Sequence, residues 1–232
     1  MSSQLIVALD FNCEHDALNL VDKLDPSSCA LKVGSELFTL LGVHFVKQLI
    51  ERQFKVFLDL KFHDIPNTVA NACKAAAELG VWMMNVHASG GEKMMQSARQ
   101  AIEPYGADRP LLIAVTVLTS LSQKELASIG INATLVEYVK KLALLAKDSG
   151  LDGVVSSAHE VKAIKYECGN QFITVTPGIR LTTDVKNDQT RVMTPQEAIG
   201  EGSDYLVVGR PITQSVNPSM VVLEILKSIT SI

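Results

Sequence analysis

Residues 55–86 read KVFLDLKFHDIPNTVANACKAAAELGVWMMNV, and this stretch decides the fold. It opens on a short apolar run, Lys55–Leu60, and passes through a polar turn. Pro66 then stands where the first turn of a helix should begin. The amphipathic stretch Thr68–Leu79 follows, and a second apolar run, Val81–Val86, completes a strand–helix–strand unit. Such a unit, with its right-handed crossover, builds a parallel sheet. Working outward, the same alternation covers the whole chain. Apolar runs recur at Leu5–Leu9, Cys29–Val33, Leu111–Leu118, Gly153–Val155, Phe172–Val175 and Tyr205–Val208, which makes eight candidate strands. Several are rich in Val, Ile and Leu without alternation, as parallel strands covered on both faces should be. Further helices are expected over Glu92–Ile102, Leu135–Lys147 and Pro195–Gly200. Ser122 with Glu125 spells a capping box that opens another. Eight units favour a closed (β/α)8 TIM barrel, an α/β fold, over an open doubly wound sheet. No G-x-G-x-x-G follows the first strand, which argues against a dinucleotide fold. No linker or repeat interrupts residues 1–232, so a single barrel domain is expected.

Composition narrows the function. Hydrophobic residues make up 47% and charged residues 20%, the balance of a globular protein. The net charge is −4 and no Lys/Arg-rich tract occurs, so a nucleic-acid partner is not expected. A site for one phosphate needs only an arginine and a few amides. Cys13, Cys29, Cys73 and Cys168 lie far apart without a C-x-x-C pair, and the histidines show no H-E-x-x-H spacing. The thiols read as reduced, and no metal site is expected. Leu5–Leu9 is short and ends in Asp10, unlike a signal peptide, and no apolar run approaches a membrane span. A cytoplasmic location without a membrane partner is the expectation.

In this fold, active sites form at the C-terminal ends of the strands. Those ends carry Asp10, Lys32, Asp59, Lys61, Asp64, His87, Thr119, Ser120, Pro177 and Gly209-Arg210. Asp59 and Lys61 are two residues apart, so alternation along a strand points both into the barrel mouth, where Asp10 and Lys32 join them. Alternating carboxylates and ammoniums in a water-poor pocket hold every charge in place and can meet charge that develops during a reaction. The same pattern also serves as a plain ion-pair layer closing a barrel. Asp64 reads equally as a helix-start residue, and Thr119 and Ser120 as caps. His87 reads as a core histidine. Gly209-Arg210-Pro211 after the eighth run suits a phosphate site made by helix-start N–H groups and one guanidinium, or a surface arginine after a turn. Gly178–Thr194 is a long polar loop with Arg180, Lys186, Gln189 and Arg191, either a lid or a merely flexible segment.

The string Asp59-Leu60-Lys61-Phe62-His63-Asp64-Ile65-Pro66-Asn67-Thr68 resembles the D-x-K-x-x-D-I-P-x-T signature of the orotidine 5′-monophosphate decarboxylase family. The resemblance extends to Ala8-Leu9-Asp10, Leu31-Lys32-Val33-Gly34, Val115–Ser120, Thr176-Pro177-Gly178-Ile179-Arg180 and Val208-Gly209-Arg210-Pro211-Ile212. Its order and spacing fit the bacterial enzymes. The resemblance implies cofactor-free decarboxylation of orotidine 5′-monophosphate to UMP. In it, Lys61 stabilises the carbanion at C6 and protonates it, and Asp59 sits near the departing carboxylate. Lys32 orients Asp59 and reaches the ribose, and Asp10 bonds the ribose hydroxyls. Thr119 and Ser120 meet the pyrimidine, with Pro177 lining the site. Gly209, Arg210, Arg180 and Gln189 take the phosphate. It further implies a homodimer with shared sites, in which Asp64 and Thr68 reach into the neighbouring subunit, and it places Ile65 against the substrate.

Two other readings use the same residues. A metal-dependent 3-keto-sugar-phosphate decarboxylase shares D-x-K-x-x-D but would need acidic metal ligands where this chain offers Lys32. A non-catalytic phosphate-ligand sensor predicts a degraded charge constellation, whereas here it is complete.

Overall fold

The computed structural model describes residues 4–181 and 192–230. Eight parallel strands close into a barrel in chain order, with the eighth pairing back onto the first. They are β1 (Leu5–Ala8), β2 (Ala30–Gly34), β3 (Val56–Phe62), β4 (Met83–His87), β5 (Leu111–Val115), β6 (Gly153–Val155), β7 (Ile173–Thr176) and β8 (Tyr205–Val208). All eight expected runs form strands, within two or three residues at their ends. The helices among the described residues are α1 (Glu14–Val21), α2 (Ser35–Glu51), α3 (Pro66–Leu79), α4 (Glu92–Ile102), α5 (Gln123–Ser128), α6 (Leu135–Asp148), α7 (Val161–Cys168), α8 (Pro195–Gly200), α9 (Arg210–Thr213) and α10 (Pro218–Thr230). Pro66 occupies the first turn of α3, where its missing N–H costs nothing. Ser122 and Glu125 form the expected capping box on α5. Two further boxes, Thr134 with Glu137 and Thr194 with Glu197, start α6 and α8. None of the helices in the described residues is long and apolar enough to cross a membrane.

Alternation along the strands splits the apolar side chains into two cores. The outer core lies between barrel and helices and includes Leu31, Leu58, Met84, Val86, Leu112 and Val154. The inner core fills the barrel with Ile6, Ala8, Ala30, Phe57, Met83, Ile113, Val175 and Val207. Burial of a large side chain such as Phe57 or Met83 contributes roughly 1.5–3 kcal/mol. At the N-terminal end the barrel is closed by the ring of Trp82, edge-on to Tyr205 at 5.2 Å, with the Lys55 ammonium 5.5 Å above the indole. Arg109 binds Asp152 through both guanidinium ends at 2.6 and 2.7 Å, and Asp152 also accepts the Leu112 N–H at 2.8 Å. This end is built for stability. Gly153 allows the close approach of β6 to β7, because a Cβ there would lie 2.2 Å from the Ile173 carbonyl oxygen. At the opposite end the inner layer thins to the small Ala8, and space opens for a ligand.

Candidate active site

A cavity of about 510 Å³ occupies the C-terminal mouth of the barrel. Ala8, Phe57, Val115, Val155 and Val207 form its apolar floor and walls. Its polar residues come from separate strand ends: Asp10 after β1, Lys32 in β2, Asp59 and Lys61 in β3, and Thr119 beyond β5. Pro177, Gly178 and Arg180 follow β7, and Gly209 and Arg210 follow β8. Nine of the residues expected from the sequence therefore line one cavity. Asp64, Ile65, Thr68 and Ser120 do not line it. Asp64 is exposed and accepts the N–H of Ile65 at 2.6 Å, and Ile65 is 67% exposed. Gln189, like Lys186 and Arg191 of the expected lid, lies outside the described residues.

The four charges form an alternating line. Lys32 Nζ lies 3.2 Å from Asp10 Oδ1 and 3.3 Å from Asp59 Oδ2, and Lys61 Nζ lies 2.7 Å from Asp59 Oδ1. The Asp59 and Lys32 side chains are nearly buried, whereas that of Asp10 is 64% exposed and faces the open cavity. Burial alone would push the Lys32 ammonium down. The carboxylates of Asp59 and Asp10 reverse this and hold it above its ordinary value. At an effective dielectric near 20 each buried contact supplies about 4 kcal/mol of gross attraction, much of it offset by desolvation. The line is thus charge-balanced and fixed before any ligand arrives.

Lys61 reaches this place by a route that alternation alone does not describe. The β3–β4 register jumps from Leu58 opposite Met84 to Phe62 opposite Val86, so four residues on one strand span two on the other. Within this bulge the Lys61 backbone is left-handed, with φ +52°, which is uncommon for a residue other than glycine. Such strain costs on the order of 1–3 kcal/mol and persists only where the surroundings hold it. Here Asn85 of β4 holds it: its Oδ1 accepts the Lys61 N–H at 2.8 Å, and its Nδ2 donates to Asp59 Oδ1 at 2.7 Å. Sequence reasoning passed over Asn85, although a lone polar residue inside the run Val81–Val86 was a signal. It also passed over Thr213 and Gln214, which line the cavity beyond Arg210. His87 is half-buried near the pair, with the His63 ring 5.4 Å away. Burial, then His63 and Lys61, hold its imidazole below the ordinary value against the pull of Asp59. It therefore adds no third positive charge at neutral pH.

Two guanidiniums, from the segments after β7 and β8, also line the cavity. Arg180 donates to the Ile179 carbonyl at 2.9 Å, and its segment is tied by a bridge between Ile179 and Met193. Arg210 begins α9, which is a single turn, so its dipole is small. The helix start read from the sequence is present at Arg210, whose guanidinium lines the cavity beside Gly209. Two fixed positive charges match a phosphate monoester, which carries between one and two negative charges near neutral pH. A balanced charge line, an apolar wall and two guanidiniums suit a phosphorylated polar ligand.

Comparison with known proteins agrees with this geometry. The chain is 68% identical to a Legionella pneumophila (strain Corby) protein named orotidine 5′-phosphate decarboxylase, over 99% of this chain and 100% of that one. It is 61% identical to the protein of the same name from Aliivibrio fischeri (strain MJ11), over 99% and 98% of the two chains. Among solved structures, orotidine 5′-phosphate decarboxylase from Lactobacillus acidophilus superposes with a TM-score of 0.87 at 40% identity, covering 98% of this chain and 99% of that one. The family model described as orotidine 5′-phosphate decarboxylase / HUMPS matches residues 3–225. By its barrel, its charged mouth and this full-length match, the chain belongs to the orotidine 5′-phosphate decarboxylase / HUMPS family.

Proposed function

We propose that this protein decarboxylates orotidine 5′-monophosphate to UMP in pyrimidine biosynthesis, by direct chemistry of its own side chains. The observation that carries the reading is the line Asp10–Lys32–Asp59–Lys61, with the Lys61 ammonium held 2.7 Å from a buried carboxylate at the mouth of the barrel. The bond from C6 of the pyrimidine to its carboxylate breaks, CO₂ leaves, and the electron pair stays on C6. Lys61 faces that carbon, meets the developing negative charge and then gives C6 its proton. The resulting neutral amine regains a proton from solvent. Asp59 fixes Lys61 and stands beside the departing carboxylate, while Lys32 fixes Asp59. Asp10, exposed at the rim, takes the ribose hydroxyls. Thr119 and Pro177 border the pyrimidine, and Arg180, Gly209 and Arg210 receive the phosphate.

Lys32 also separates this reading from metal-dependent sugar-phosphate chemistry on the same scaffold. Its ammonium fills the space between Asp10 and Asp59, where a divalent cation would need their carboxylates. Asp64, Ile65 and Thr68 lie outside the cavity of their own chain and are exposed, which suits a two-fold dimer in which they complete the partner's site. The exposed apolar side chains Ile65 and Leu118 stand at the same end of the barrel and give such an interface its apolar surface. A cytoplasmic setting fits a water-soluble nucleotide substrate.

Arg210→Ala tests the phosphate end. It is expected to lower kcat/KM for orotidine 5′-monophosphate by about 100-fold or more, since a charged hydrogen-bonding partner is lost in a shielded pocket. The phosphate-free nucleoside orotidine should lose less than about three-fold, because it never drew on that contact. Steady-state kinetics on the two substrates decide the matter, and equal losses for both would remove Arg210 from phosphate recognition.

A further inference from the structure

The barrel interior carries a polar side chain that the cavity does not expose. Asn85 is fully buried in β4, on the inward side with Met83, whereas Met84 and Val86 pack outward. Its amide joins two parts of the charged pair, accepting from the Lys61 N–H at 2.8 Å and donating to Asp59 Oδ1 at 2.7 Å. These two demands fix the amide's orientation, because only its oxygen accepts from an N–H and only its nitrogen donates to a carboxylate. Lys61 is one of two residues other than glycine with a positive φ among the described residues. An apolar side chain in place of Asn85 would leave that strained N–H without its acceptor and strip a donor from the buried Asp59. The opposite neighbour of Asn85 on β5 is Ile113, which can replace neither bond.

We propose that Asn85 is a positioning residue of the reaction, locking the left-handed bend at Lys61 and the Asp59 carboxylate into one unit. It does not line the cavity and so acts only through that pair. The inference rests on the assignment of Lys61 as the group that faces C6. A displacement of that ammonium by about 1 Å is enough to cost on the order of 100-fold in rate, without a matching cost in binding. The apolar bottom of the cavity and its phosphate end stay as they are, so ligand affinity is preserved.

The test compares wild type with Asn85→Leu, of similar size, and Asn85→Asp, which has the same shape. Asn85→Leu is expected to lower kcat by about 100-fold, with KM and the Kd for UMP within about three-fold of wild type. Asn85→Asp keeps an acceptor for the Lys61 N–H but sets a second carboxylate against Asp59. When protonated, its O–H donates where Nδ2 did. Asp59, Lys61, Lys32, His63 and His87 surround the site and titrate or carry charge, so kcat is read as the ratio of variant to wild type at each pH. That ratio is expected to rise at least about five-fold between about pH 8 and pH 5.5. A kcat for Asn85→Leu within about five-fold of wild type overturns the proposal, as does a loss of UMP affinity equal to the loss in kcat. If Asn85→Leu does not fold, a ratio for Asn85→Asp that ignores pH, or loss of UMP binding by that variant too, overturns it in favour of a purely structural role. An inactive wild type would instead remove the decarboxylase reading itself, and this role with it.

Discussion

Lys61→Ala is expected to lower kcat at least about 10³-fold while the protein stays folded and still binds UMP. The ammonium acts on charge that exists only once the bond from C6 to the carboxylate breaks, so its removal falls on the transition state and barely touches the ground state. The rest of the line survives the change. Asp59 keeps Lys32 at 3.3 Å and the Asn85 amide at 2.7 Å, so the carboxylate is not left bare in the barrel. Removal of one partner of a buried pair is severe mainly when the other is abandoned. Circular dichroism, UMP titration and single-turnover kinetics together check the expectation. A variant retaining a tenth of wild-type kcat would sink the assigned role of Lys61.

Mixing Lys61→Ala with Asp64→Ala is expected to restore activity from two proteins that each have almost none. Asp64 is exposed on its own chain and does not line its own cavity, yet it follows Lys61 by three residues at the barrel mouth. If two chains share each site, the two variants unfolded and refolded together give about half heterodimers by the symmetry of random pairing. Each heterodimer then has one site with both defects and one site with none. Activity should return to roughly a quarter of the wild-type level on that count. Native mass spectrometry establishes that heterodimers formed. Should they form and no activity return, Asp64 acts within its own chain or not at all, and the shared site is lost.

The strand pattern was legible because a parallel barrel buries both faces of every strand, which leaves eight apolar runs in plain view. The charges at the ends of those runs were legible for the same reason, since Asp59 and Lys61 stand out against Val56, Phe57 and Leu58. The manner in which they meet was not. Two-residue alternation foretold that Asp59 and Lys61 share a side, but the pair forms across a bulge with a left-handed backbone at Lys61. A bulge depends on the neighbouring strand, and the residue that stabilises it, Asn85, lies 24 positions further on. Local sequence carries no record of that contact. Gly209-Arg210-Pro211 reads as a helix start that offers its N–H groups together with one guanidinium, and α9 does begin at Arg210, though it is one turn long. Asp64, Ile65 and Thr68 enter only through the family resemblance, because nothing in their spacing distinguishes a helix start from a reach into another chain.

The central claim is tested most directly by adding purified protein, exhaustively treated with chelator, to orotidine 5′-monophosphate and following its ultraviolet chromophore. If Lys61 and its neighbours carry the reaction, the orotidylate absorbance falls to that of UMP, one CO₂ is released per nucleotide, and the chelated protein turns over at the untreated rate. Persistence of the chromophore, or turnover that returns only when a divalent metal is restored, would contradict the account.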